Sequence, residues 1–403
     1  MKLLIYSHFF APSVGGVETV VMSLANGLSK LSRTNGLREF DITVVTQTPR
    51  GEFSETEFSF QVVRKPQGSE LRRLVRQADV VHVAGAAILP ILLGLLMKKP
   101  VVVEHHGFHA ICPSGQLLQE PQNTPCPGYF MAGRHRECLR CSGTPQRFAS
   151  FRAWALTFFR RFLCQRVAVN IMPTAWLGTQ LRLLHSETVL HGLPGTPPLV
   201  RLAGIQGPPV LIFVGRLVTT KGARLLLDAA HLLKNQRRLF QLIIIGDGPE
   251  RRVLENHARE LALLGEVQFQ GRLPQSRINA LLQRADVVVV PSLGGEVFGL
   301  VVAENMLRGL PVVVSDLGAF VEVLGGRGKV FRNGDAADLA LRLAELLDDP
   351  RSAQRLAAEA RQRALEIFPL GRMIQEHALI YRNLASAKLF DASKEDRTSQ
   401  IRQ

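Results

Sequence analysis

Two series of short, continuously apolar segments separated by helical stretches constrain the fold more than any other feature of this chain. Both halves of the 403 residues contain five such segments. Strands that are apolar along their whole length are typical of a parallel sheet covered by helices on both faces. The chain is therefore predicted to be α/β, with two doubly wound, Rossmann-like parallel-sheet domains. The predicted strands are Leu3–Tyr6, Ile42–Thr46, Val80–Val83, Val101–Glu104, Val169–Met172, Val210–Val214, Leu242–Ile245, Val267–Gln270, Val287–Val290 and Val312–Ser315.

A stretch dense in proline and glycine divides the two series. Residues 193–198 read Leu-Pro-Gly-Thr-Pro-Pro, a composition typical of a linker. After Pro369, apolar residues recur mainly on one face of a predicted helix, and the last residues are polar. The predicted parts are a first domain over 1–193, with a cysteine-containing insertion at about 107–146, a second domain over 200–366, a helix over 367–387 and a tail over 388–403.

The charge balance favours anionic partners. Lys and Arg number 49 against 34 Asp and Glu, a formal net charge of +15, which suits phosphates, acidic lipid or nucleic acid. An apolar content of 46% excludes a disordered or fibrous chain. A nucleic-acid binder needs a basic stripe interleaved with aromatic residues or a recognition motif. Only residues 151–167 approach such a stripe, so we expect no nucleic-acid partner.

The beginning of the chain predicts no targeting segment. Met1 and Lys2 are followed at once by a predicted strand. The longest apolar stretch, Ala86–Met97, is far shorter than the roughly 20 residues that span a bilayer. We expect a cytoplasmic protein, with peripheral binding at the cytoplasmic face of a membrane as the alternative.

A candidate anion site follows the first strand of the second series. Val210–Val214 runs into Gly215-Arg216 and then Lys221-Gly222 before a helix. A strand, turn and helix in this order bring backbone N–H groups and the positive helix end to one point, where Arg216 and Lys221 would add two charges. This arrangement suits a diphosphate, and a solvated basic turn is the alternative.

Two further loops follow strands of the second series. Gly246-Asp247-Gly248-Pro249-Glu250 fits either a tight turn or a close approach to a ligand. Glu296 and Glu304 flank the predicted start of a helix near Gly299. Both carboxylates would lie at the carboxyl end of the sheet, where open α/β sheets bind ligands. They are suitable partners for sugar hydroxyls, whereas a solvated helix residue is the alternative for Glu304.

Together these motifs resemble the retaining glycosyltransferases of family 4, which have the GT-B fold. In the second half the resemblance rests on Gly215-Arg216, Lys221-Gly222, the 246–250 loop, Pro291-Ser292, Glu296-Val297-Phe298-Gly299-Leu300, Glu304 and Gly309–Ser315. In the first half it rests on the glycine-rich loop His8–Glu18 and on the strand ending Val103-Glu104-His105-His106. The similarity extends from about residue 3 to residue 385.

The resemblance implies the fold, the reaction and the roles of individual residues. It implies two domains that face a central cleft, a final helix that crosses back to the first domain, and transfer from a nucleotide sugar without a metal. Retention is usually ascribed in this family to front-face attack, in which charge stabilisation replaces a protein base. The implied catalytic residues are His106, Arg216, Lys221 and Glu296. The implied donor-binding residues are Gly15, Gly16, Arg216, Lys221, Gly246, Glu296, Phe298, Gly299, Leu300, Val301 and Glu304.

Four cysteines lie close together in the predicted insertion. Cys112, Cys126, Cys138 and Cys141 occur within a loop-like stretch, but only the last two have the short spacing usual for zinc ligands. A structural zinc ion, reduced thiols and a disulfide remain the alternatives, and the first two are favoured in a reducing compartment. Cys164 lies in a helical pattern and is expected to be a buried thiol.

Residues 151–167 are predicted to form a basic amphipathic helix. Its apolar stripe contains Phe151, Trp154, Ala155, Phe158, Phe159, Phe162 and Leu163, and arginines lie outside the stripe. A core helix with a solvated basic edge is the favoured interpretation, and a helix on an anionic membrane surface is the alternative.

The sequence thus predicts a metal-independent glycosyltransferase. We expect a UDP- or GDP-sugar donor and a glycan, glycolipid or lipid-linked acceptor, in envelope or polysaccharide biosynthesis. No cofactor is expected to be required for catalysis. The alternatives are a catalytically silent partner subunit, a nucleotide-sugar epimerase with the same fold and, less favoured, a basic nucleic-acid-binding protein.

Overall fold

The computed structural model describes residues 1–32, 36–51, 53–56, 58–119, 122–141, 147–199 and 207–400, with side chains at all of these except 147 and 388–400. The chain divides into two compact units. Unit 1 comprises Met1–Pro113, Phe151–Gly192 and Leu370–Gln403, and unit 2 comprises Ser114–Ser150 and Leu193–Pro369.

The elements are numbered in chain order. The strands are β1 Lys2–Ser7, β2 Asp41–Thr46, β3 Gln61–Arg64, β4 Val80–Ala84, β5 Val101–Glu104, β6 Leu118–Gln119, β7 Thr124–Pro125, β8 Val169–Met172, β9 Ser186–Thr188, β10 Val210–Val214, β11 Gln241–Ile245, β12 Val267–Gly271, β13 Val287–Val290, β14 Val312–Ser315 and β15 Lys329–Phe331. The helices are α1 Gly16–Ser29, α2 Gly68–Gln77, α3 Ile88–Leu96, α4 His135–Cys141, α5 Arg147–Cys164, α6 Ala175–Leu181, α7 Ala223–Asn235, α8 Arg251–Glu260, α9 Gln275–Leu282, α10 Leu300–Arg308, α11 Gly318–Leu324, α12 Ala336–Asp348, α13 Pro350–Ile367 and α14 Leu370–Gln400.

Unit 1 is built on a seven-stranded sheet in the order β3-β2-β1-β4-β5-β8-β9. Every neighbouring pair in it is parallel. The central strands are buried throughout β4, β5 and β8, as their continuous apolar sequences predict. The sequence did not predict the two edge strands, and β9 is exposed along its whole length.

Unit 2 contains a six-stranded parallel sheet in the order β12-β11-β10-β13-β14-β15. Its core includes Leu211, Phe213 and Leu242 from the strands and Leu226 and Leu339 from helices α7 and α12. The predicted α/β class, with two parallel sheets covered by helices, is confirmed. The sequence did not predict β15, a short edge strand of the six-stranded sheet, nor the two-residue strands β6 and β7.

Helix α14 is anchored in unit 1 by close packing and by polar contacts. Gly27 of α1 leaves room for Ile374, since a Cβ atom at position 27 would lie 2.0 Å from its Cδ1 atom. The Tyr381 hydroxyl lies 2.9 Å from Nδ1 of His82 inside the core. Arg382 donates two hydrogen bonds to Glu39, at 2.6 and 2.8 Å. The helix that follows Pro369 is therefore an integral part of unit 1.

The cysteine-containing segment differs from the predicted domain boundary. We expected an insertion in the first domain, but Ser114–Ser150 groups with unit 2. The Gly295 amide donates to the Gln116 carbonyl oxygen at 2.6 Å, and a Cβ atom at Gly294 would lie 2.8 Å from the same oxygen. Backbone contacts with the 291–299 loop thus account for the difference.

Helix α5 also differs from its favoured interpretation. A core position was expected for the stripe, and Leu163 is buried, but Phe151, Phe158, Phe159 and Phe162 are 53%, 40%, 39% and 49% exposed. Thr157 and Cys164, outside the stripe, are also buried. No helix in the described part of the chain has both the length and the hydropathy needed to cross a bilayer.

The connection between β10 and α7 is packed directly against the end of β13. Gly222 has a φ of +68°, and a Cβ atom there would lie 1.9 Å from the Pro291 carbonyl oxygen. Both the backbone conformation and the lack of space therefore require glycine. This contact fixes the position of the neighbouring Lys221.

We expect Gly222→Ala to lower the free energy of unfolding by about 2–4 kcal/mol, because it adds left-handed strain to a steric clash. Gly334→Ala is the matched control, because Gly334 also has a positive φ, of +80°, but no atom lies within 4 Å of the point where its Cβ atom would be. The control should lose only about 1–2 kcal/mol. Urea unfolding of both variants measures the difference, and equal losses would contradict the packing argument.

Candidate functional site

The candidate donor site lies at the carboxyl ends of the unit 2 strands. Strand β10 pairs with β11 on one side and with β13 on the other, so the order of the sheet reverses at β10. Open α/β sheets bind ligands at such a reversal, outside the carboxyl ends of the strands. The loops after β10 and β13 carry Arg216, Lys221 and Glu296 to this point.

An ion pair joins these two loops. Lys221 Nζ is paired with Glu296 Oε1, and both residues are partly buried. Ser292 donates to the same carboxylate oxygen at 3.1 Å, and its own carbonyl accepts from the Ser315 hydroxyl at 2.6 Å. The Leu293 amide donates to the Thr220 carbonyl at 2.8 Å. The charged pair is therefore held by both side-chain and backbone contacts.

Arg216 differs from Lys221 in its surroundings. It is exposed, and within the described residues it forms no ion pair. Its guanidinium group is thus available to an anion, and it follows β10 directly. Together with Lys221 it provides two cationic groups in the loop at the reversal of the sheet, and their contact with a diphosphate stays a prediction.

Backbone packing accounts for the two glycines in the loop after β11. A Cβ atom at Gly246 would lie 1.8 Å from the Gly215 carbonyl oxygen, and one at Gly248 would lie 2.3 Å from that of Leu217. The Leu217 amide also donates to the Asp247 carbonyl oxygen at 3.0 Å. These glycines therefore allow one loop to lie on the other, which favours the tight-turn alternative. A donor contact at Gly246 stays a prediction.

Helix α10 begins where the sequence predicts. Gly299 precedes it with a φ of +94°, and Leu300 and Val301 form its first turn, where backbone N–H groups lack helical partners. The Phe298 ring is buried and contacts Phe368 with ring centroids 5.4 Å apart. Only backbone atoms of Phe298 therefore suit a ligand contact.

Glu304 lies on the second turn of α10. Its side chain is 39% exposed, and Arg308 Nη1 lies 3.4 Å from its Oε2 atom. Arg308 is itself buried and lies 3.5 Å from the side-chain oxygen of Asn305. Glu304 is thus oriented by a neighbour while its carboxylate stays accessible, which suits a hydroxyl ligand.

The glycine-rich loop of unit 1 precedes helix α1. Gly15 caps the helix in an extended conformation, with φ of −175°. A Cβ atom there would lie 2.5 Å from a carboxylate oxygen of Glu18. Gly16 is the first helical residue. The two glycines therefore lie at a helix N-terminus, as a phosphate or sugar contact would require.

His106 follows the end of β5 and faces a buried carboxylate. Its Nε2 atom is buried and lies 3.5 Å from Glu104 Oε2. We predicted that His106 points toward a reacting sugar, but its Nε2 atom points toward Glu104 instead. A sugar contact of His106 stays a prediction and would use another part of the ring.

Glu104 is surrounded by histidines that the sequence analysis did not single out. Its carboxylate oxygens lie 3.3 Å from His82 Nε2, 3.5 Å from His191 Nδ1 and 3.7 Å from His377 Nε2. Burial opposes the charged carboxylate, but the histidines, His106 first, hold the pKa of Glu104 well below its usual range. Burial also lowers the pKa of His191 to about 3. His82, His191 and His377 come from parts of the chain distant from Glu104, so no local motif marks them.

The predicted cysteine zinc site is not supported. All five cysteines are thiols, and none is in a disulfide. Among the described residues, ligand atoms of three or more His, Cys, Asp or Glu lie within 4.8 Å of one another only at Glu104, His106 and His191. The sulfur atoms of Cys112, Cys126 and Cys138, which are far apart in the chain, do not come together at one point. Burial raises the pKa of the Cys164 thiol to about 12, as expected for a buried cysteine.

Both units match profiles of known protein families. Residues 14–189 match the profile described as Glycosyltransferase Family 4, and residues 202–363 match the profile described as Glycosyl transferases group 1. The two matches occur in order and cover most of the chain. The chain therefore belongs to the GT-B glycosyltransferases of family 4, as the motifs predict.

Individual proteins resemble the chain to different extents. A glycogen synthase of Mycobacterium tuberculosis is 36% identical over 177 residues, which are 43% of this chain and 42% of that protein. The match thus spans less than half of that relative. A GDP-mannose-dependent alpha-(1-6)-phosphatidylinositol monomannoside mannosyltransferase of Mycolicibacterium smegmatis is 25% identical over 90% of this chain and 94% of its own length.

A solved structure supports the fold. HepE of Anabaena, crystallised with UDP, superposes with a TM-score of 0.71 over 95% of this chain and 100% of its own, at 18% identity. At this identity the likeness shows the fold alone.

Proposed function

We propose that this protein transfers a sugar from a UDP- or GDP-sugar to a glycan or lipid-linked acceptor. The observation that carries the proposal is the pair of cations, Arg216 and Lys221, at the reversal of the unit 2 sheet, with Glu296 beside them. The named relatives and the UDP complex of a structural neighbour support a nucleotide-sugar donor.

The charges at this site fit the leaving group. Breaking the bond between the sugar and the diphosphate leaves negative charge on the diphosphate oxygens. Arg216 is exposed and able to move onto a phosphate, and Lys221 is already held in place by Glu296. Cations positioned before the reaction stabilise this charge without reorganisation during it. We therefore propose that transfer needs no metal ion at the diphosphate.

The carboxylates supply recognition of hydroxyl groups. Glu296 Oε1 faces Lys221 and Ser292, so its other oxygen is the one for a donor sugar hydroxyl. Glu304 is the candidate partner for the donor ribose. The first amides of α10, at Leu300 and Val301, add donors of hydrogen bonds at the positive end of the helix.

We propose retention of the anomeric configuration, by attack from the side of the leaving group. In that geometry a leaving-group oxygen accepts the acceptor proton, so the protein supplies charge stabilisation in place of a base. The cationic pair beside the carboxylate Glu296 fits this requirement. The family resemblance is the other support for retention.

The exposed side chains of helix α5 are suited to contact a membrane that carries a lipid-linked acceptor. The guanidinium carbon of Arg166 lies 3.4 Å from the centroid of the Phe162 ring, and Phe151, Phe158 and Phe159 are exposed beside it. Exposed aromatic rings together with arginines fit an anionic membrane surface. We propose that α5 binds the protein peripherally to such a surface, in envelope or polysaccharide biosynthesis.

Lys221→Ala should lower kcat/KM by about 100- to 1,000-fold, because it removes a positioned charge from the leaving group. The free energy of unfolding should fall by no more than about 1–2 kcal/mol, since the side chain is partly exposed. The measurement is turnover of UDP-glucose and GDP-mannose with water as acceptor, followed by NMR, which also reports the anomer released.

Arg224→Ala is the matched control, because Arg224 is an exposed cation on the neighbouring helix α7. Its kcat/KM should stay within about threefold of the wild-type value. Equal activity in both variants would contradict the diphosphate role of Lys221. Binding without turnover would favour a silent partner subunit, and conversion of the donor to another nucleotide sugar would favour an epimerase.

The double variant Phe158→Ser/Phe162→Ser should bind vesicles of anionic phospholipid about tenfold more weakly, because two aromatic contacts with the lipid are lost. Co-sedimentation with vesicles measures this. Leu239→Ser, which removes an 80% exposed apolar side chain from unit 2, is the control. If the wild-type protein did not sediment with anionic vesicles, the proposed membrane contact would be wrong.

A further inference from the structure

The buried carboxylate of Glu104 lacks the hydrogen bonds that such a group normally requires. It is fully buried, and neither oxygen has a hydrogen-bond partner in the described part of the chain. The surrounding imidazole nitrogens lie 3.3–3.7 Å away, beyond the usual hydrogen-bond range of about 2.7–3.2 Å. A buried charge without hydrogen bonds is costly. A positive group that binds the carboxylate would remove this cost.

One hydrogen bond of His377 decides whether this histidine can donate a proton to Glu104. His377 Nδ1 lies 2.8 Å from the Met373 carbonyl oxygen, which only accepts, so this nitrogen carries a hydrogen. In a neutral ring, Nε2 then presents a lone pair toward Glu104. A neutral His377 therefore gives the carboxylate no proton.

Three side chains converge at this point, two from the carboxyl end of β5 and one from the segment after β9. Oε2 of Glu104 lies 3.5 Å from His106 Nε2, and its other oxygen, Oε1, lies 3.5 Å from His191 Nδ1. Taking one ligand atom from each residue, the three atoms lie within 4.8 Å of one another. Ligands about 2.0–2.1 Å from a tetrahedral zinc ion lie about 3.3–3.4 Å apart, so the two contacts to the carboxylate are close to the spacing of metal ligands.

We propose that Glu104, His106 and His191 bind one divalent transition-metal ion within unit 1. Two imidazoles and one carboxylate suit zinc and the neighbouring first-row ions, whereas magnesium and calcium prefer oxygen ligands. Three protein ligands leave a further position for water or another ligand. His82 and His377 flank Glu104 from outside the ligand set.

This site shares no residue with the candidate diphosphate site of unit 2. Arg216 and Lys221 of unit 2 would neutralise the diphosphate, whereas the proposed ion binds to residues of unit 1. The proposal therefore stands or falls independently of metal-free transfer chemistry. It also gives His106 a role as a metal ligand, which accounts for the direction of its Nε2 atom.

The test measures bound metal in the full-length protein. The protein is stripped with a chelator, reconstituted with Co²⁺ or Zn²⁺, and passed through a desalting column before metal analysis and absorption spectroscopy. His191→Asn removes a proposed ligand. His185→Asn makes the same change at an exposed histidine of unit 1, whose left-handed conformation, with φ of +51°, suits Asn.

We expect the wild-type protein and the His185→Asn variant to bind one equivalent of metal ion more than the His191→Asn variant. The Co²⁺ spectrum should contain visible ligand-field bands from nitrogen and oxygen ligands. Equal binding by all three proteins, or a spectrum with only sulfur-to-cobalt charge transfer, would place the metal elsewhere and overturn the proposal. Absence of ligand-field bands in the wild-type protein would overturn it as well, whether or not His191→Asn folds.

Discussion

The ion pair between Lys221 and Glu296 is the interaction on which the proposed chemistry depends. It joins the loops after two adjacent strands, β10 and β13, at the reversal of the unit 2 sheet. Backbone packing at Gly222 holds the first loop against the end of the second strand. The cation is therefore positioned before any ligand arrives, and Arg216 remains exposed beside it. This combination of a fixed and a movable charge suits a diphosphate that is bound and then released.

Much of the fold and of the candidate donor site could be predicted from the sequence, because the signals are local. Buried central strands are continuously apolar, and the charged residues of unit 2 follow them directly in the chain. Edge strands such as β9 could not be predicted, since an exposed strand carries no apolar run. The assignment of Ser114–Ser150 was also out of reach, because it depends on backbone contacts with a loop almost 180 residues further along.

The histidine cluster around Glu104 could not be predicted from the sequence either. His82 lies on β4, His191 after β9 and His377 on α14, so only the fold brings these three to the end of β5. The sequence instead drew attention to four cysteines that are neighbours in the chain but do not converge. For helix α5, the amphipathic pattern was correctly read, but pattern alone does not determine whether an apolar stripe faces a core or the solvent.

The central claim is that protein cations, without a metal ion, neutralise the donor diphosphate. Isothermal titration of UDP and GDP into the full-length protein, with and without added Mg²⁺ or Mn²⁺, tests it most directly. The account predicts binding of at least one of these nucleotides in the absence of added metal, with an affinity that changes by no more than about threefold when metal is added. Binding that appears only with Mg²⁺ or Mn²⁺ would contradict it.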